Sequence, residues 1–393
     1  MSRRATLLVA LFLAALALRP QTIGVGPLLP SIQDDLDISH TVGGLLGTIP
    51  VLCMGVFAPT AAFVAGRIGA RLAIGLAVLL IAIAGLLRVS VDNAAVLIAL
   101  TLPIGFAIAV AGTLMPMAVK QRFADRPAFG TGIYATGIQL GAALGAALAV
   151  PFAHLYGGWR FSLAVFSIAA ALSALAWLAL TEADRPDRAA LARPVRLPIR
   201  SGVAWAVAVV FAMTGVTFYG LSVWLPDTYV EHGWSEGRAG ALLAVLQAVS
   251  VPAGLAVPRL ADRIGSRRFY LTSAAAVQLG GILGVLLDPG AGWLWAVVLG
   301  IGIGAIFPIV MTLPLDLSRS PAEAGAIAGL MLGAGYTITA FSPLVLGAVR
   351  DATGSFSASL WLIAGILVCL VALSLALTGE RLHGGAVSEP VLP

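Results

Sequence analysis

The chain alternates long apolar stretches with short polar breaks. Apolar segments run at roughly 5–30, 41–64, 72–89, 94–118, 128–151, 160–181, 202–226, 238–258, 269–287, 293–315, 324–348 and 357–378. Each is long enough to cross a hydrocarbon layer about 30 Å thick as a helix. In hydrocarbon a helix satisfies all its backbone donors and acceptors within one segment, so the pattern predicts an all-α membrane protein with twelve transmembrane helices. The longest interior break, 182–201, carries Arg185, Arg188, Arg193, Arg196 and Arg200 with Pro186, Pro194 and Pro198, and divides the spans six and six. The expected organisation is a six-helix bundle over 1–181, a cytoplasmic linker over 182–201 lying along the inner leaflet, a second bundle over 202–378 and a cytoplasmic tail over 379–393.

Composition agrees with the pattern. At 60% hydrophobic and 10% charged residues, with a mean hydropathy of +1.00, the chain has too much apolar surface for a water-soluble fold. The net charge of +5 does not indicate nucleic acid, because the basic residues sit in short breaks between spans and never form a stripe beside exposed aromatics. Placing the amino terminus in the cytoplasm puts eighteen of the 23 Lys and Arg residues in cytoplasmic segments, with Arg88, Arg160, Arg238 and Arg350 outside and Arg19 within the membrane. Both termini are therefore expected inside. Arg3-Arg4 followed by Ala5 to Leu18 imitates a secretory leader. Apolar character resumes after Arg19, however, and the segment completes an even number of spans, so it reads as helix 1. Cys53 and Cys369 lie far apart inside apolar segments and read as packing residues, with no disulfide or metal site.

Arg19 is the residue that demands an explanation. The fourteen residues Ala5 to Leu18 carry no charge and one hydroxyl. At about 1.5 Å per residue they take the guanidinium roughly 21 Å into the bilayer. A charge at that depth is costly and is expected to face a protein interior or a cavity. On a continuous helix, Arg19, Thr22 and Gly26 would share one face, combining a fixed positive charge, a hydroxyl and a gap for a neighbouring backbone. All eighteen Asp and Glu residues map to loops, termini or helix ends, so Arg19 lacks a fixed counter-ion, and an anionic substrate would supply the missing charge. Asp227, at the end of the seventh span, is the nearest exception.

The two halves echo one another at an offset of 196 residues. Ala62 to Arg71 matches Pro258 to Arg267 at five of ten positions, and Leu29-Pro30 falls on Leu225-Pro226. Parallel six-helix repeats with a site between them are a transporter architecture. Pro258-Arg-Leu-Ala-Asp262-Arg263-Ile-Gly265-Ser-Arg267 resembles the cytoplasmic loop motif of the major facilitator superfamily, with Pro258 where the first glycine is usual. Arg67 and Arg71 belong to the amino-half copy, which has Gly66 in place of the acidic residue. The resemblance implies two pseudo-symmetric bundles and alternating access, with Arg67, Arg71, Asp262, Arg263 and Arg267 in the gating loops and Asp262 contributing more of the inward-closed lock. Leu18-Arg19-Pro20, Val25-Gly26-Pro27-Leu28-Leu29 and Pro50 to Pro59 are, more narrowly, similar to the cyanate and 2-nitroimidazole transporter family. In the superfamily's geometry helices 1, 4, 7 and 10 line the pathway, flanked by 2, 5, 8 and 11. That implies cavity roles for Tyr134, Gln139, Tyr219, Trp224, Gln247 and Tyr336 beside Arg19 and Thr22.

An enzyme finds little support. His40, His154 and His232 map to the outer side and His383 to the tail, with no His-Asp, Cys-His or paired-carboxylate arrangement on a membrane face. Gly300-Ile-Gly302-Ile-Gly304 and Gly137-Ile-Gln-Leu-Gly141-Ala-Ala-Leu-Gly145 follow no strand and read as close-packing surfaces, not phosphate cradles. The expectation is a monomeric, cofactor-free inner-membrane carrier of a small organic or inorganic anion, or alternatively an exporter of a small neutral or aromatic compound of the nitroimidazole type.

Overall fold

The computed structural model describes residues 3–122, 127–182, 197–264, 267–316, 318 and 321–376; the side chains of 258–264 and 267 lie outside the described set. The tail 379–393 and most of the linker also lie outside it, as do the side chains of Asp262, Arg263 and Arg267. The helices are α1 Arg3–Leu16, α2 Pro20–Ile23, α3 Val25–Leu36, α4 His40–Ile68, α5 Ala70–Val89, α6 Ala94–Arg122, α7 Pro127–Leu155, α8 Trp159–Leu180, α9 Gly202–Glu231, α10 Glu236–Ile264, α11 Arg267–Leu287, α12 Gly292–Asp316, α13 Pro321–Thr353 and α14 Phe356–Ala376. Among the described residues twelve spans result, the first assembled from α1, α2 and α3 over Ala5–Leu36, the tenth from a 3-10 turn at Pro289–Ala291 and α12, and each other one built on a single helix.

Several helices outrun the apolar stretch that announced them. The first span continues past Pro30 to Leu36, and α13 extends over 33 residues. A helix satisfies its backbone as well in the headgroup layer as in hydrocarbon, so it continues until a cap or turn stops it. Asp37, at φ 49°, ends α3 in the left-handed conformation. The Ser39 hydroxyl accepts from the Val42 amide and starts α4. Gly69, at φ 85°, reverses the chain between α4 and α5, which is the tight turn its residue type permits. Successive spans thus run between a near face, holding Arg3 and Gly69, and a far face, holding the α3–α4, α9–α10 and α13–α14 connections.

The glycine runs are packing surfaces. A Cβ on Gly141 of α7 would stand 2.2 Å from the Leu16 carbonyl oxygen, and one on Gly304 of α12 would stand 2.1 Å from the Ser250 carbonyl oxygen of α10. Without a hydrophobic driving force inside the bilayer, such backbone proximity is what gives helices dispersion contacts. A buried cluster from Ala10 to Trp177 unites α1, α4, α5, α6 and α8, while a larger one draws on residues from Val25 to Leu370.

The two groups of spans meet where α4 packs on α13, α7 on α10 and α3 on α9. At the far face this contact is tight and partly polar. Ser31 donates to both carboxylate oxygens of Glu236 at 3.0 and 3.1 Å. The Trp224 indole donates to the Pro343 carbonyl at 2.8 Å. Gly44 lies so close to α13 that a Cβ there would sit 2.6 Å from the Pro343 oxygen. Gly44→Leu is therefore expected to prise the far face apart, penalising this conformation by about 1–3 kcal/mol, typical of overpacking. Distances between spin labels across that face would lengthen; an unaltered distribution would show that the contact is not limiting.

Candidate functional site

The first span breaks where a charge must be turned into the protein. α1 ends at Leu16, the amide of Leu18 bonds to Ala15 O in a tight turn, and Arg19 takes φ −107° as the cap of α2. Pro20 begins α2 at the position where a missing amide hydrogen costs nothing. Gly24 then separates α2 from α3, whose Pro27 leaves the Ile23 carbonyl without its usual helical donor. The expected single face of Arg19, Thr22 and Gly26 is thus replaced by three short pieces. Proline and glycine at this density favour separate turns over one continuous ladder. The close approach expected at Gly26 is made by α9, since a Cβ there would lie 2.2 Å from the Ser222 oxygen.

Arg19 Nη1 donates to the Tyr219 hydroxyl of α9 at 3.0 Å. The Tyr219 hydroxyl in turn lies 3.8 Å from Met54 Sδ. Among the described residues no carboxylate stands within ion-pair distance of Arg19. A cavity of about 20 Å³ adjoins the guanidinium, lined by Arg19, Thr22 and Ile23 of the first span, Gly47, Pro50, Val51 and Met54 of α4, Ile108 of α6, and Tyr219, Ser222 and Val223 of α9. It has room for about one water-sized group, so the site is contracted in this conformation. Its walls come from both groups of spans, and α12, the tenth span, contributes none of them.

The other candidates divide. Thr22 lines the cavity while its hydroxyl donates to Arg19's own carbonyl at 3.0 Å. Tyr336 packs beside Tyr219 and meets Phe211 edge-on at 4.9 Å. Gln247 stands one layer behind, its amide donating to the Ser222 hydroxyl at 3.4 Å. Gln139 reaches across from α7 to Ser250 of α10, also at 3.4 Å. Two lie elsewhere. Tyr134 packs against the core of the amino half, and Trp224 is buried at the far face between His40 and Phe356. Of the loop arginines, Arg67 stacks over Phe63 at 4.5 Å. Arg71 donates through Nε to Thr181 O at 2.7 Å and through Nη2 to Leu178 O, placing its charge on the carbonyl end of α8.

Arg88, expected on the outer side at the end of the third span, lies in the last turn of α5. It is 1% exposed, on the same face of α5 as Ile81 and Ala84. Its Nη2 donates to Gln21 Oε1 at 2.7 Å and to Gln21 O at 3.3 Å. Gln21 passes the bond on, its amide nitrogen donating to Ser167 Oγ at 2.6 Å and Leu163 O at 2.9 Å. This strut ties the broken segment to α5 and α8, two residues from Arg19. Position near a span's end hid it in the sequence; the buried i, i+4, i+7 series Ile81, Gly85, Arg88 was the available signal.

The Major Facilitator Superfamily model matches residues 6–343. The chain belongs to that superfamily. It is accordingly a multi-pass membrane transporter and not an enzyme. It is 31% identical over 352 residues to the cyanate transport protein CynX of Escherichia coli K12, covering 89% of this chain and 91% of that one. It is 30% identical over 372 residues to the 2-nitroimidazole transporter of the same organism, covering 94% of each. Among solved structures, a bacterial homolog of the human lysosomal transporter Spinster, inward-facing and unoccupied, superposes with a TM-score of 0.81 at 16% identity over the whole of both chains. The fold expected from the sequence is the fold found.

The strut makes a double-mutant prediction. Gln21→Leu strands a buried guanidinium and is expected to destabilise the protein by about 3–5 kcal/mol. Gln21→Leu with Arg88→Met leaves no charge to satisfy and should recover much of that loss. Thermal unfolding in detergent compares them; additive losses would show that the two side chains do not act as a unit.

Proposed function

We propose that this transporter carries a small anion of the size of cyanate or a short carboxylate, with Arg19 as the residue that binds it. The observation that carries the reading is a guanidinium on a cavity wall between the two groups of spans, whose side-chain hydrogen bond among the described residues is to a neutral tyrosine hydroxyl. A bidentate, charge-assisted contact with an anion is stronger than that bond and restores neutrality at a depth where a lone charge is costly. Likeness to the cyanate transport protein supports the substrate class.

In this reading residues 1–181 and 202–378 are two bodies that rock about the site, both termini are cytoplasmic, and the protein works as a monomer in the inner membrane. The far face is then the outer face, closed here by the contacts of α4 with α13 and of Ser31 with Glu236. Asp262, Arg263 and Arg267, with Arg67 and Arg71, would form the lock on the opposite side. One observation favours a second substrate class. Tyr219, Tyr336, Phe211 and Phe218 make an aromatic wall next to Arg19, which suits a flat nitroaromatic such as the 2-nitroimidazole carried by the other relative.

A thermal-shift series with cyanate, nitrate, short carboxylates and 2-nitroimidazole separates these readings, because a ligand of the folded state raises its stability as ln(1 + [L]/Kd). Anion-dependent stabilisation is expected to fall by most of its size in Arg19→Lys, which lacks the planar fork, and to vanish in Arg19→Ala. A folded Arg19→Ala with wild-type anion affinity would remove Arg19 from the site. Stabilisation by 2-nitroimidazole alone would favour the aromatic substrate.

A further inference from the structure

At the far face one histidine from the first group of spans stands between two carboxylates from the second. His40 begins α4; Asp227 lies near the end of α9 and Asp351 near the end of α13. His40 Nδ1 is 3.0 Å from Asp351 Oδ1, and His40 Nε2 is 3.4 Å from Asp227 Oδ2. The second contact is long, and Asp227 Oδ2 has no other partner although Asp227 is only 5% exposed. The Trp224 and Phe356 rings flank the imidazole with centroids at 5.6 Å. Arg350 of α13 is the remaining charged neighbour, and it is occupied by Glu231 of α9 at 2.7 Å. Asp351 is fixed independently of the imidazole, since it accepts from the His40 amide at 3.2 Å and the Thr41 amide at 2.8 Å, as a carboxylate does at a helix start.

A neutral imidazole has one N–H donor and one lone pair, whereas a carboxylate only accepts. With both ring nitrogens facing carboxylate oxygens, neutral His40 would aim a lone pair at one of them. A single added proton removes the conflict, turning both nitrogens into donors and replacing two anions around a neutral ring by an ion triad. We propose that His40, Asp227 and Asp351 form a proton-binding site, and that the bound proton holds the far face closed.

The step balances simply. Imidazole takes a proton from the aqueous medium at that face and becomes imidazolium. When the groups of spans part, His40 leaves both carboxylates and the proton returns to the same medium. Because the closed form holds one more proton than the open one, rising pH disfavours closure, with the population ratio changing by up to about tenfold per pH unit for one linked proton. Among the described residues no group of three His, Cys, Asp or Glu side chains is arranged to hold a metal ion. The site stands apart from Arg19, and its proton linkage does not depend on which substrate Arg19 binds.

The test needs no substrate. Spin labels are placed on the exposed far-face positions Ser90→Cys and Gly290→Cys in full-length protein carrying Cys53→Ala and Cys369→Ala, and distances are measured at about pH 5.5 and about pH 8.5, on either side of the usual histidine range. The short distance is expected to dominate at the lower pH and the long one to gain at the higher. His40→Gln should abolish the shift. Asp227→Asn should abolish it differently and stay short at both values, because its amide can donate to the ring lone pair and no proton is then required. A wild-type distribution that ignores pH would overturn the proposal, as would a wild-type shift persisting in either folded variant.

Discussion

The structure depends on one electrostatic constraint, a fixed cation inside a helical bundle with no carboxylate among the described residues within ion-pair distance of it. Arg19 is placed there by a first span whose apolar lead-in is long enough to reach mid-membrane. A guanidinium in a medium of low dielectric needs hydrogen bonds and partial charges close by, and here Tyr219 of the opposite group of spans provides the bond. A hydrogen bond to a charged group contributes about 1.5–3 kcal/mol. The same contact joins the first span to α9 of the second group of spans.

What fixes the cation is distinct from what grips it. Its backbone is held from behind by the amino half alone, through Gly141 against Leu16 and through Arg88, Gln21 and Ser167. Two arginines therefore sit within two residues of contact along the broken segment, one presented to the cavity and one buried to position it. Arg88 has no carboxylate partner among the described residues, and its Nε has no partner at all. Burial without full satisfaction is tolerable only where the group's location matters more than its own contribution to stability.

The spans, their number, the intramembrane arginine and the close-packing glycines were legible because each is written in local composition and spacing. Apolar runs near 20 residues and small residues four apart carry their meaning within one segment. The break of the first span was half legible. Pro20, Gly24 and Pro27 forbid an uninterrupted ladder, yet nothing local says that Arg19 will point to residue 219 and Gln21 to residues 88 and 167. Trp224 and His40 failed to declare themselves for the same reason. Their partners Pro343 and Asp351 are more than a hundred residues away, and an aromatic or histidine near a span's end reads as an interface residue until the opposite helix is in place.

Helix α4 runs from His40 at the far face to Gly47, Pro50, Val51 and Met54 on the cavity wall, and α9 runs from Tyr219 and Ser222 to Asp227. Tyr219 and Asp227 are eight residues apart, which is about 12 Å of helix. Helices α4 and α9 thus each carry residues of the cavity wall and one member of the far-face triad, whose third member, Asp351, lies on α13. Packed interiors shift between discrete arrangements and do not deform continuously, so the proposed alternating access would move the two sites together. On the proposed function linkage would make the influence mutual: whatever anion affinity gained from closure, closure would gain from the anion, and the proposed far-face proton would enter the same balance.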